Sequence, residues 1–118
     1  IAGGQFEGPQ LKGRVLEGGN DLISVMEDGT YRLDVRLILM TEENVSLLFR
    51  YAGYRSASKE VNQRLSAGDK VDPSEYYFRL TGSFDCSAPE YAWLNRVCVI
   101  GTAERRPTGP VYSLYAIE

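Results

Sequence analysis

The sequence predicts an all-β protein: an antiparallel β-barrel with one short α-helix and room inside for a ligand. Three features predict it. "TYRLDVRLILM" alternates with strict period two, placing Tyr31, Leu33, Val35, Leu37 and Leu39 on one face and Arg32, Asp34, Arg36, Ile38 and Met40 on the other. Some seven extended stretches are separated by short turns rich in Gly, Pro, Asp and Asn. Helical spacing is convincing in only one place.

The elements follow in order. "QFEGPQLKGRVLE" (Gln5 to Glu17) is extended but broken by Gly8-Pro9 and Gly13, which suggests short strands with a bend. "GGND" turns the chain, and "LISVM" is a short apolar strand ending at Asp28-Gly29, a pair favoured in two-residue hairpin turns. After the long alternating strand, "TEEN" turns into its hairpin partner "VSLLFRYAGY" (Val45 to Tyr54). In "SKEVNQRLSAG", Ser58 is a candidate N-cap, Val61 and Leu65 are spaced i, i+4, and Gly68 suits C′; this helix could plug one end of a barrel. Three strands follow Asp72-Pro73: Glu75 to Phe84, Tyr91 to Arg105 and Val111 to Ile117.

At 118 residues, 43% hydrophobic and 25% charged, the chain reads as one domain spanning 1–118 with enough mass for a real core. A net charge of −3 offers no basic footprint for nucleic acid, and no apolar run approaches the roughly 18 residues of a membrane span. The start has no charged region ahead of an apolar one, so no signal peptide is expected. Two cysteines, Cys86 and Cys98, predict a reduced, cytoplasmic chain, with a single disulfide as the alternative. The absence of histidine excludes Ser-His-Asp and Cys-His catalysis and His-ligated zinc. No metal or cofactor is called for, and the chemistry falls to Asp, Glu, Tyr, Lys, Arg, Ser, Thr or Cys.

With eight tyrosines and 11% aromatic residues, the chain has the material of a small-molecule pocket, or equally of a filled core. Asp34 lies between Arg32 and Arg36. Facing inward it would be a general base; facing outward, one charge of a solvated stripe. Ile38 and Met40 continue its face, which favours inward. Arg79 and Tyr77 share one side of "EYYFRLT" and would stabilise developing negative charge in a cavity; otherwise Arg79 is a surface arginine and Tyr77 core. Trp93 and Asn95 share a face and would be wall and polar anchor of the pocket, or else an ordinary core tryptophan and an Asn that satisfies neighbouring backbone; Tyr51 and Arg36 would be further ligand contacts. Glu75 reads as a rim charge and Asp21 as a turn residue, with a pocket-rim role as its alternative. Cys98 is expected to be buried and Cys86 to lie in a polar loop.

"GGQFEGPQLKGRVLEGGND", "YRLDVRLILMTEEN", "DPSEYYFRL", "YAWLNRVCVIGTAERR" and "VYSLYAIE", in that order, resemble a family of small bacterial and fungal proteins known as domain of unknown function 3237. The resemblance covers the whole chain. It implies a lipocalin-like antiparallel barrel with an interior cavity, and a further strand ahead of Ile1. It implies no reaction. One departure is Tyr51, at a position where the family often carries Asn. Three functions remain open: a cofactor-independent isomerase, cyclase or lyase acting on a small apolar or aromatic molecule, a non-catalytic carrier of such a molecule, or, as the weakest reading, a structural or oligomeric part whose barrel is filled. The expected partner is that small molecule, with no nucleic acid and no membrane, and with homo-oligomers allowed.

Overall fold

A computed structural model of the chain describes residues 4–8, 11–107 and 109–118. The expected bend at Pro9 and part of the "RPTGP" loop lie outside these. The fold is built around one hairpin. Strand β4 (Tyr31–Thr41) pairs with β5 (Ser46–Ser56) from Tyr31↔Arg55 to Met40↔Ser46. Leu33, Val35 and Leu39 of β4 and Leu47, Phe49 and Tyr51 of β5 are buried on the concave side, while Arg32, Asp34 and Arg36 are exposed on the convex side. The wholly apolar face turns in because each buried Leu or Val contributes about 1.5–3 kcal/mol, which a mixed face with two arginines cannot match. The turn between them is a three-residue loop: Thr41 N–H donates to Val45 O, Asn44 N–H donates to Thr41 O, and Asn44 takes φ 64°. The same loop joins β3 (Asn20–Val25) to β4, with Gly29 at φ 88° and Met26 bonded to Thr30. The expected two-residue turn at Asp28-Gly29 is thus one residue longer.

Strands β1 (Gly4–Glu7) and β2 (Lys12–Val15) form a hairpin. β2 pairs with the C-terminal end of β4 and β3 with its N-terminal half. Leu16 to Gly19 span on this side what Leu37 and Ile38 span on β4, and left-handed Gly18 and Gly19 absorb the excess. Two extra residues preserve the alternation, so Asp21, Ile23 and Val25 fall opposite Val35, Leu33 and Tyr31 on the concave phase.

From β5 the sheet continues through β6 (Tyr77–Asp85), β7 (Cys98–Arg106) and β8 (Gly109–Ile117), all antiparallel. It curls tightly because concave positions carry glycine. A Cβ on Gly82 would stand 2.6 Å from the Arg50 carbonyl oxygen and 2.7 Å from the Phe49 ring. The result is an eight-stranded half-barrel. Among the described residues no pairing joins β3 to β8, and the concavity is filled by its own Leu, Val and Phe side chains. The expected antiparallel β-barrel is present as a curled half-barrel; its concavity is filled largely by its own side chains rather than hollow, and among the described residues its sheet does not close between β3 and β8.

Helix α1 (Lys59–Ser66) covers one end, with Val61 buried. Ser58 accepts the Val61 N–H at 3.2 Å, and Gly68 at φ 83° follows the C-cap, as its sequence suggests. The other end is closed by a 3₁₀ helix over Pro89–Arg96, with Leu94 buried. This corrects the strand expected from Tyr91. Pro89 cannot donate to a ladder, and the Asn95 side chain bonds both Cys86 N–H and Cys86 O at 2.7 Å, fastening the segment to the end of β6. Glu75 lies in a second 3₁₀ turn, Pro73–Glu75, as one half of a capping box with Asp72, and pairs with Arg64 at 3.1 Å. The cysteines exchange their expected places: both are free, with Cys86 buried and Cys98 exposed. No described helix is long and apolar enough to cross a membrane.

Candidate functional site

Polar side chains converge where the concave face reaches the open seam. Tyr51 of β5 is buried at 6% exposure, and its hydroxyl donates to the Tyr112 hydroxyl of β8 at 2.8 Å. The two strands are joined only through β6 and β7, so this bond crosses the concavity. Arg55, two alternations along from Tyr51, lays its guanidinium over the Tyr31 ring, 4.4 Å from the centroid. Its Nε is buried and, among the described residues, has no hydrogen-bond partner. Arg105 follows on the same phase of β7, its N–H held by the Tyr76 hydroxyl at 2.7 Å. Asp21 reaches the seam from the opposite edge, in one cross-strand register with Val35 and Tyr51. Ile23, Val25 and Leu114, all exposed, give the seam apolar flanks.

The electrostatics centre on Tyr112. Burial raises its pKa, and the Asp21 charge adds to the rise; the Tyr51 hydrogen bond and the Arg55 and Arg105 charges oppose it. Tyr51 is pushed far up by burial first, then by donating to Tyr112 and by the Asp21 charge. The pair is therefore neutral at ordinary pH. Tyr51 spends its proton on Tyr112, and Tyr112 keeps its own for another acceptor. Burial depresses the Arg55 pKa and the Arg105 charge depresses it further, while Tyr31 acts in the other direction. Among the described residues, neither arginine has a salt-bridge partner; the ion pairs formed are Arg50–Asp85, Arg64–Glu75 and Arg106–Glu104. Two unpaired cations and a polarised hydroxyl can receive an anion and an adjacent oxygen.

A family model described as a protein of unknown function, DUF3237, matches residues 1–117. The chain belongs to the DUF3237 family. A UPF0311 protein of Clostridium acetobutylicum is 29% identical over 99% of this chain and 74% of its own length. A crystal structure of a beta-barrel like protein from Acinetobacter baumannii AYE superposes with TM-score 0.82 at 38% identity, covering 98% of this chain and 74% of that one. A conserved protein of unknown function from Rhodopseudomonas palustris gives TM-score 0.90 at 26% identity, covering all of this chain and 79% of that one.

Against this DUF3237 fold, one of the seven residues singled out from sequence, Tyr51, stands in the concavity. Asp34 and Arg36 are exposed on the convex face, which corrects the inward placement of Asp34. Tyr77, 52% exposed, and Arg79 are likewise outside; Arg79 donates to the Phe78 carbonyl at 2.9 Å and lies 5.5 Å from the Tyr77 ring centroid. In "EYYFRLT" it is Phe78 and Leu80 that point in. Trp93 is half-buried in the 3₁₀ helix and packs against the edge of the core, and Asn95 is the latch on Cys86. Arg55, Arg105, Tyr112 and Tyr31 were missed as site residues, and Asp21 was read first as a turn. The available signal was the apolar odd face of β4: with Val35 inward, the hairpin register turns Tyr51 and Arg55 inward too.

Two surface depressions are also present. One, of about 590 Å³, separates the β3–β4 turn from α1; the other, of about 1090 Å³, runs from β1, β2 and the end of β4 to Arg106 of β7 and Val111 of β8. Their polar lining is solvated, and neither contains a buried group in need of a partner, as the seam does with Arg55.

Proposed function

We propose that the protein binds a small organic anion with an apolar or aromatic body in the seam between β3 and β8. The anionic head meets Arg55 and Arg105, a neighbouring oxygen accepts from Tyr112, and the body lies against Ile23, Val25 and Leu114. The observation that carries this reading is the buried, unpartnered Nε of Arg55 beside a second unpaired arginine. Among the described residues Arg55 also lacks a counter-ion, which a bound carboxylate would supply. An apolar wall with a few convergent polar groups is the ordinary build of a small-molecule site.

Calorimetry with aromatic carboxylates and their matched primary amides tests it. The carboxylates should bind and the amides should not. Arg55→Gln should weaken carboxylate binding about 10- to 100-fold, the worth of one charge-assisted hydrogen bond. Equal binding of acids and amides, or binding of neither, would refute the proposal.

A further inference from the structure

Among the described residues, β8 pairs only with β7 and leaves its outer edge free. From Val111 to Ile117 that edge lacks the charges, prolines and glycines that keep free strands from pairing. Val111, Leu114, Tyr115 and Ile117 are exposed, and exposed Ile100, opposite Tyr115 on β7, widens the apolar surface. The β3 edge is shorter and holds Asp21. The β7–β8 register fixes which backbone groups of β8 point outward. Pro110 has no N–H, and Arg105 opposite it gives its own N–H to the Tyr76 hydroxyl at 2.7 Å. Arg105 and Pro110 therefore exchange no bonds, and by alternation neither do Ala103–Tyr112, Gly101–Leu114 and Val99–Ala116. Tyr112, Leu114 and Ala116 thus direct their N–H and C=O groups away from the sheet.

We propose that two copies of this chain join through β8, antiparallel, with the two-fold axis at Leu114. The strand is complementary to itself. Laid on its own copy about Leu114, "VYSLYAI" sets Tyr112 against Ala116, Tyr115 against Ser113 and Val111 against Ile117. Each tyrosine meets a small residue. The outward residues pair only with one another, so each such pair exchanges both of its N–H···O bonds. A two-fold contact sets every residue near the axis against its own kind, and this stretch carries no charge to repel its copy.

The surroundings of the edge suit the same partner. Tyr112 keeps its 2.8 Å bond to Tyr51, because only Ala116 faces it from the second copy. The copy's Ile117 and Glu118 arrive beside Val111 and Pro110, at the end of the groove of about 1090 Å³ that runs from β1 and β2 to Arg106 and Val111. Lys12, Arg14 and Arg106 line that groove against Glu7 and Glu42, and among the described residues Lys12 and Arg14 have no ion-pair partner. An incoming Glu118 meets an excess of positive charge there. The copy's Leu114 and Ala116 fall on the concave side and extend the apolar flank of the seam, but the contact does not depend on anion binding. One strand pair is small beside the roughly 1,200–2,000 Å² buried in stable interfaces, so dissociation is expected at a concentration on the order of micromolar or above.

Sedimentation equilibrium of the chain from micromolar to submillimolar concentration tests it. The mass should rise from monomer to dimer and stop there, because an isologous contact closes. Leu114→Lys and Leu114→Glu each set like charges face to face across the axis, and each should weaken the dimer about 10-fold or more. An equimolar mixture of the two variants should dimerise again, since opposite charges then meet; a folding defect would give no such recovery. In a Cys98→Ser background, Leu114→Cys should crosslink to its own copy with a short bis-maleimide, and Ile23→Cys on β3 should not. A monomer at every concentration, growth beyond the dimer, a mixture that stays monomeric, or a dimer that crosslinks only through Ile23→Cys would overturn the proposal. Carboxylate binding is read separately by calorimetry, so the failure of one reading is distinguishable from the failure of the other.

Discussion

Tyr51→Phe and Tyr112→Phe remove the same hydrogen bond, yet they should not cost the same. Tyr51 is the donor and is 6% exposed, so replacing Tyr112 strands a buried hydroxyl that water does not reach. That penalty is about 1–3 kcal/mol. Replacing Tyr51 removes the donor but leaves the Tyr112 hydroxyl at the open seam, where water can serve it; only the net bond is lost, about 0.5–1.5 kcal/mol. In the double variant no hydroxyl is stranded, so its cost should fall below the sum of the two by about 1 kcal/mol. Two groups in direct contact usually couple by that amount. Urea denaturation measures it: with a slope of about 1–3 kcal/mol per molar, 1 kcal/mol moves the midpoint by roughly 0.3–1 M. Additive costs, or a Tyr51→Phe variant less stable than Tyr112→Phe, would refute both the direction of the bond and the buried state of its donor.

Alkaline pH probes the same pair. Tyr51 and Tyr112 are raised from an ordinary 10.0, so their contribution to stability is complete below pH 10 and is lost as pH climbs above it; the loss should be at most about 1.4 kcal/mol per pH unit for Tyr51, and Tyr51→Phe should flatten the slope in denaturation midpoints above pH 10. Gly82→Ala places a Cβ against the Arg50 carbonyl and the Phe49 ring, and should lower the thermal midpoint by the equivalent of about 1–3 kcal/mol. An unchanged midpoint would mean that the curl does not need a bare backbone there. Asn95→Ala removes two 2.7 Å bonds to Cys86 and should cost about 1 kcal/mol or more in urea titration, while leaving carboxylate binding unaffected because the latch is at the far end from Arg55.

The strands and the helix were legible because their signals are local. Period two in β4, the Ser58 cap and Gly68 each act over a few residues, and tertiary packing agreed with them. The segment Tyr91 to Arg96 was not legible. Its residues alternate well enough for a strand, and what makes it a 3₁₀ helix is Pro89 together with a side-chain bond from Asn95 to a residue nine positions earlier. That error carried Trp93 and Asn95 into the wrong place. For Asp34 the fault was one of phase. Ile38 and Met40 make Asp34's face look apolar although the opposite face is wholly so, and a slip of one residue in strand phase exchanges every inside side chain for an outside one. Asp34, Arg36, Tyr77 and Arg79 all fell on the convex side through that kind of slip.

The seam is hard to read from sequence because its residues come from strands far apart in the chain, and the placement of Tyr112 depends on a β7–β8 register that requires β7 to begin at Cys98 rather than Tyr91. The structure also explains why the polar groups gather at the seam and not at the centre. Leu33, Val35, Phe49, Phe78, Leu80 and Val99 fill the middle of the concavity, where an unpaired charge would be too costly to keep. At the margin between β3 and β8, Arg55, Arg105 and Asp21 can hold their charge in water while staying near the Tyr51–Tyr112 hydroxyl pair. A ligand is therefore expected to lie along the margin with its head on the arginines. Enlarging Leu114 to Phe or Trp should then exclude longer aromatic acids from the seam before it weakens short ones, whereas a ligand seated in the filled centre would be insensitive to that change.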